Sequence, residues 1–201
     1  MNEDRREEII MATLELSSQI GLGAVSMSMI AKKIGIKKPS LYNHFASKEE
    51  LIGAMYEHLR NLAKRNANIG NWGDVPSGVS ANELLKASVS NYIKMNQDPN
   101  ILMFYKLIYS ERAISKDAAN IMLEETQKMI NATKRLFEIL QNKNLLHLNN
   151  IDVSATAFAL TVHAFMDYEM DKSFCSGNSS IDCTMLNQYI DDFCRQNKVG
   201  D

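Results

Sequence analysis

The chain is short of the residues that punctuate or staple a fold. Of its 201 residues only three are proline and nine are glycine. The long intervals between them leave room for extended helices rather than many turns. Cysteine is equally scarce: Cys175, Cys183 and Cys194 form neither a CxxC pair nor a Cys/His spacing suited to zinc. An odd, clustered set of three reads as free thiols in a reducing compartment, with a redox pair of Cys175 and Cys183 as the alternative. No apolar run is long enough to span a membrane, and the start MNEDRREE lacks the apolar stretch of a signal peptide. These absences point to a soluble, cytoplasmic protein with no membrane partner. Also missing are HExxH, the paired ExxH of di-iron bundles, GxSxG and a phosphate-cradling glycine loop, so neither an enzyme nor a metal or other cofactor is expected. A formal net charge of −2 leaves no excess of positive charge for general polyanion binding, so any nucleic-acid site must be local.

What is present is an ordinary globular composition, 45% hydrophobic and 23% charged, enough to bury a core. Apolar residues recur at helical spacing through most of the chain and predict an all-α fold of about nine to ten helices. A first helix runs from about Asp4 to Ile20, with Ile10, Leu14 and Ile20 near one face, and Gly21-Leu22-Gly23 ends it. Ser47-Lys48-Glu49-Glu50 is a capping box that opens a fourth helix toward Asn68. The segment 69–79, with three glycines, one proline and Trp72 as an interdomain packing anchor, is the natural boundary. Beyond it, Ser80-Ala81-Asn82-Glu83 opens a helix to about Asn96, and Asp98-Pro99 starts another through Tyr109. Ser115 caps a long helix to about Gln141, a helix spans Asp152 to Phe174, and Met185 to Cys194 marks the last.

One window stands apart. Ser26 to Lys48 carries five lysines and no acidic residue. In it Met27, Ile30, Ala31 and Ile34 follow the i, i+3, i+4, i+7 pattern of a buried face, and Ser26 can cap that helix. Gly35 stops the helix, Pro39 suits the first turn of the next, and Leu41 and Phe45 point inward together. This is the arrangement of a helix-turn-helix at about 26–45, in which one helix braces a second that enters the major groove. Lys37, Lys38, Ser40, Asn43 and His44 are left facing outward, with the Tyr42 hydroxyl nearby. Lysines neutralise phosphates, and hydroxyls, amides and imidazoles reach phosphate oxygens or base edges. Lys48 sits at the start of the fourth helix, where its charge and the helix N–H groups favour a phosphate. The bland alternative is a solvated, lysine-rich hairpin; the coincidence of charge, turn and polar face argues against it.

The run IAKKIGIKKPSLYNHFASKEEL resembles the signature of the tetracycline-repressor-like (TetR) family of bacterial transcription regulators, in Ile30-Ala31, Gly35, Leu41 to Phe45 and Ser47 to Leu51. Ala12, Leu16 and Gly21 also fall where that family places them. The resemblance covers about residues 5–65; the remainder matches only in helix number and length. It implies a three-helix DNA-binding head (1–65), joined by a linker helix to a helical-bundle body that binds an effector and dimerises (66–201). It further implies that Tyr42, His44 and Lys48 touch phosphates, and that Lys37, Lys38, Ser40 and Asn43, with Ser26 and Ser28, lie nearest base edges or flanking phosphates. Two positions depart from the family pattern: Ser17 and Leu22 stand where aromatics are usual.

In the body, methionine and aromatic residues are abundant, and such side chains fit a pocket for a hydrophobic or aromatic effector. Phe104, Tyr105, Tyr109, Met122 and Met129 are candidates for it. So are Phe137, Phe158, His163 and Met166, although each residue alone reads as plain core. His163 and Asp167 share a helix face, too few ligands for a metal. The helix from Asp152 is apolar on two sides. Val153, Ala157, Leu160 and Ala164 form one side, and with Tyr189, Ile190 and Phe193 of the last helix they make a candidate four-helix dimer face. The expected function is a ligand-responsive regulator, most simply a repressor that binds a palindromic double-stranded operator as a homodimer. A transcriptional activator with the same head and a helical protein-binding adaptor are the alternatives.

Overall fold

The computed structural model describes residues 2–66, 78–177 and 181–199, the side chains at 2–3, 62–66 and 100 aside. Among the described residues every regular element is helical: α1 (Asn2–Ile20), a single 3-10 turn (Leu22–Ala24), α2 (Met27–Lys33), α3 (Lys38–Tyr42), α4 (Lys48–Asn66), α5 (Ala81–Asn96), α6 (Pro99–Glu111), α7 (Lys116–Asn142), α8 (Ile151–Ser176) and α9 (Thr184–Gln196). Trp72 and most of the expected boundary segment lie outside the described residues. Among the described residues no helix is long and apolar enough to cross a membrane.

The chain packs as two units, residues 1–68 with 96–123, and residues 69–95 with 124–201. The division differs from a single cut near residue 65, because α6 and the start of α7 pack with the N-terminal helices. In the first unit α1 lies against α2, α4 and α6. Ile9, Leu14, Ile30, Leu41, Phe45, Leu51, Met55, Leu59, Leu107 and Ile108 are all fully buried there. Completely burying one such side chain contributes roughly 1.5–3 kcal/mol. Ile20, by contrast, is 46% exposed and not part of the α1 inner face. Leu22 fills core space where an aromatic was the alternative, while Ser17 is buried with a hydroxyl that has no hydrogen-bond partner. Tyr56 of α4 is also buried, its phenol pushed up by desolvation while Ser115 hydrogen-bonds to it. Ser115 in turn caps α7, accepting from the Ala118 N–H at 3.3 Å.

The turn between α2 and α3 is set by Gly35. Its φ is +70°, and two bonds close the end of α2: Ile36 N–H to Ala31 O at 2.9 Å and Gly35 N–H to Lys32 O at 3.3 Å. That is a Schellman closure, with glycine at its left-handed position. A Cβ there meets no atom within 4 Å, so only backbone conformation resists it. Gly35→Ala is expected to cost about 1–2 kcal/mol. Urea unfolding should show a lower midpoint at unchanged m-value.

In the second unit Leu85, Val89 and Ile93 of α5 meet Leu136, Phe137 and Leu140 of α7, Phe158, Val162 and Met166 of α8, and Leu186 and Ile190 of α9. The rings of Phe137, Phe158 and Phe193 form a compact group with centroids 5.0–5.3 Å apart, and Tyr189 joins it 5.5 Å from Phe158. Offset and edge-on ring contacts of this kind add to simple burial. Asn150 starts α8 by accepting the Val153 N–H at 3.1 Å.

Candidate nucleic-acid interface

The reading surface follows from how α3 is held. Leu41 and Phe45 turn fully inward, which leaves the rest of this short helix outside. Lys37, Lys38, Pro39, Ser40, Tyr42 and Asn43 are all exposed, and His44 is half-buried. Lys38 and Tyr42 are one turn apart, the ammonium 5.9 Å from the ring centroid. That distance permits a weak cation–π contact, which steadies the lysine over the ring. On α2, Ser28 is exposed, and Ser26 is spent on capping, its Oγ accepting the Met29 N–H at 3.3 Å.

The basic residues around α2 and α3 differ in what they contact. Lys32, Lys37 and Lys38 are exposed. Lys33, Lys48 and Arg6 are engaged within the head. Lys33 pairs with Glu15 of α1 at 2.8 Å. The Lys48 ammonium donates to the carbonyls of Leu22 and Gly23, at 3.0 and 3.4 Å, and so ties the start of α4 to the turn after α1. This alters the expectation for Lys48, because two of its three donors serve the fold. The helix start it occupies is partly taken as well. Ser47 Oγ accepts the Glu50 N–H at 3.1 Å, and Glu50 Oε2 accepts the Ala46 N–H at 2.7 Å. The Glu49 carboxylate is held below its usual range by its own backbone N–H and then by the Ser47 hydroxyl. The capping box therefore occupies the Glu50 and Ala46 N–H groups, part of the set that a phosphate at this helix end was expected to use. Arg6 was not singled out by sequence reasoning; it sits over Phe45, 4.0 Å from the ring centroid, and donates to the His44 carbonyl.

The effector candidates do not gather in one unit. Phe104, Tyr105, Tyr109 and Met122 belong to the first, and Met129, Phe137, Phe158, His163 and Met166 to the second. Phe104, Met122, Phe137, Phe158 and Met166 are buried in the cores of their own units. Tyr105, Tyr109, Met129 and His163 are half-buried. His163 Nδ1 lies 3.1 Å from the Tyr92 hydroxyl, and its Nε2 is 4.0 Å from Asp167, a polar chain between α5 and α8. No group of three or more metal-ligating side chains occurs among the described residues. A groove of about 470 Å³ in the second unit is lined by Ser80, Asn82, Leu145, Asp191, Cys194 and Lys198 among others, and none of the effector candidates borders it.

The dimer candidates split by helix. On α8, Val153, Ala157, Leu160 and Ala164 are exposed, and Tyr168 continues their stripe. They lie opposite the buried face of Ala155, Phe158, Ala159, Val162 and Met166. On α9 the expectation fails for Ile190, which is fully buried in its own unit. Tyr189 and Phe193 pack into the same ring cluster and are half-buried, so the apolar face of α9 is covered in part from within. The apolar side chain that α9 does leave outside is Met185. All three cysteines are free thiols, and burial pushes Cys183 and Cys194 up, which disfavours reactive thiolates there.

Comparison with known proteins bears on the head most directly. The family described as "Bacterial regulatory proteins, tetR family" matches residues 9–55. The tetracycline repressor protein class C of Escherichia coli is 35% identical over 62 residues, 31% of this chain and 28% of that protein. The HTH-type transcriptional activator FasR of Mycolicibacterium smegmatis is 38% identical over 61 residues, 30% of this chain and 28% of that protein. The matches thus span well under half the length of these curated relatives. A regulatory protein of the tetR family from Rhodococcus RHA1 superposes with a TM-score of 0.65 over 98% of both chains at 21% identity, which is a likeness of fold.

Proposed function

We infer the function from one premise, that this chain belongs to the tetR family of bacterial regulatory proteins through its residues 9–55: it is a cytoplasmic transcription regulator that binds a palindromic DNA operator as a homodimer and responds to a small molecule. The observation that carries the reading is the two-sidedness of α3. Leu41 and Phe45 are fully buried while Lys37, Lys38, Ser40 and Asn43 stand outside. Lysines at that position supply affinity for any duplex, and Ser40 and Asn43 supply the choice among sequences. Two copies joined through α8 would set their reading helices roughly 34–36 Å apart, one turn of DNA. An effector bound to the body releases the operator only if it binds more tightly to a form with a different spacing. A hydrophobic or aromatic effector suits the methionine-rich and aromatic composition of the body. Repression is the simpler output, and an activator would use the same head.

The test is fluorescence anisotropy with labelled duplexes drawn from DNA beside the encoding gene, against scrambled duplexes of equal length. A specific site should be preferred by about 10³-fold or more. Equal binding to all duplexes, or to none, would refute the reading.

A further inference from the structure

We propose that Arg6 is a positioning residue for the reading helix: from α1 it locks the exit of α3 to the start of α4, and so sets the angle at which Ser40 and Asn43 meet the bases. The proposal rests on the DNA-binding reading above. Its basis is the convergence of three contacts on one guanidinium. The Arg6 Cζ lies over the Phe45 ring, 4.0 Å from its centroid. One of its nitrogens donates to the His44 carbonyl, and another lies 3.6 Å from Glu50 Oε1. Glu50 then accepts the Ala46 N–H at 2.7 Å through its other oxygen. Residues 44, 45, 46 and 50 are thereby bound to a side chain that stands 38 residues before His44.

The clamp matters because α3 is only five residues long. A helix of that length has little stability of its own, so its direction is set by Leu41 packed beneath it and by the contacts at its two ends. The entrance is fixed by the Gly35 turn. The exit, His44 to Ala46, is held from within by buried Phe45 and by the His44 and Phe45 N–H bonds to the Leu41 carbonyl, and from outside by Arg6. A guanidinium suits the task because its planar fork can stack on a ring while donating along two other directions. A lysine offers a point charge and cannot make all three contacts at once.

The experiment uses the full-length protein, the preferred duplex and its scrambled partner, each across a salt series. Three variants are compared: Arg6→Ala, Arg6→Lys and Glu50→Gln, the last of which keeps an acceptor for the Ala46 N–H and removes the ion pair. For Arg6→Ala, binding to the preferred duplex should weaken about tenfold, and binding to the scrambled duplex should change less than about twofold. The log–log salt slope should stay the same, because a positioning arginine neutralises no phosphate. Arg6→Lys and Glu50→Gln should lower the ratio of specific to non-specific affinity in smaller steps. Three results overturn the inference. A slope flatter on both duplexes, by about 0.9 for each phosphate no longer neutralised, makes Arg6 a phosphate ligand instead. An unchanged affinity ratio in Arg6→Ala removes its positioning role. If Arg6→Ala fails to fold, an unchanged ratio in folded Arg6→Lys and Glu50→Gln does the same, and a lowered ratio in them upholds it. Failure of the unmodified protein to distinguish the two duplexes defeats the DNA-binding reading itself, and this inference with it.

Discussion

Replacing Lys37 and Lys38 together with alanine should lower affinity for the operator by about 10²- to 10³-fold near physiological salt and flatten the log–log salt dependence by about 3.6. The slope follows from counting. Each lysine that neutralises a phosphate releases counterions and contributes about 0.9, and a dimer presents four such lysines. At about 0.15 M salt each neutralised phosphate is then worth about fivefold, and four compound to the range given. Both side chains are exposed, and Lys37 makes no capping bond to α3, so the double variant should fold as the parent does. What it forfeits is the weak approach of Lys38 to the Tyr42 ring, at 5.9 Å. Lys33→Ala is the matched control, since that ammonium pairs with Glu15 at 2.8 Å. It should leave the slope almost unchanged. A double variant that binds as tightly as the parent, with the same slope, would take α3 out of the groove.

That contrast marks how far sequence reasoning reaches. The two faces of α3 are legible because i, i+4 spacing places Leu41 and Phe45 on one side and forces their neighbours to the other. The turn is legible because a left-handed residue between two helices selects glycine, as found at Gly35. What cannot be read locally is which cations are spent inside the head. Lys48 reaches carbonyls 25 and 26 residues away, and Arg6 reaches a carbonyl 38 residues away. Composition shows five lysines in one window, but only tertiary packing separates those free to meet phosphates from those holding helices together. The body teaches the same lesson through burial. The periodicity of α9 identifies Leu186, Ile190 and Phe193 as one apolar face, yet cannot say whether a partner or the chain's own core covers it. For Ile190 it is the core. For α8, with apolar residues on opposite sides, the choice of inner face is made by Phe137 and Phe193, whose rings lie 5.3 and 5.0 Å from Phe158.

The outer side of α8 therefore carries the second large effect. Leu160 lies near the middle of the exposed stripe from Val153 to Tyr168 and is 44% exposed in the isolated chain. If that stripe meets its copy across a two-fold axis, Leu160→Asp places two carboxylates in one apolar contact, since each change appears on both sides. An unpaired buried charge costs about 3–5 kcal/mol, so two should raise the dimer dissociation constant by at least about 10³-fold. Sedimentation at micromolar concentration should then show a monomer where the parent is a dimer. Helix content should hold, because the position is not part of the unit's own core. Operator affinity should fall in parallel, since a monomer offers one reading helix to a two-site palindrome. Asn187→Asp, on the exposed side of α9, should change neither assembly nor DNA binding. A Leu160→Asp protein that remains dimeric would move the interface away from α8. Met185, 61% exposed, would then be the next apolar side chain in the second unit to test.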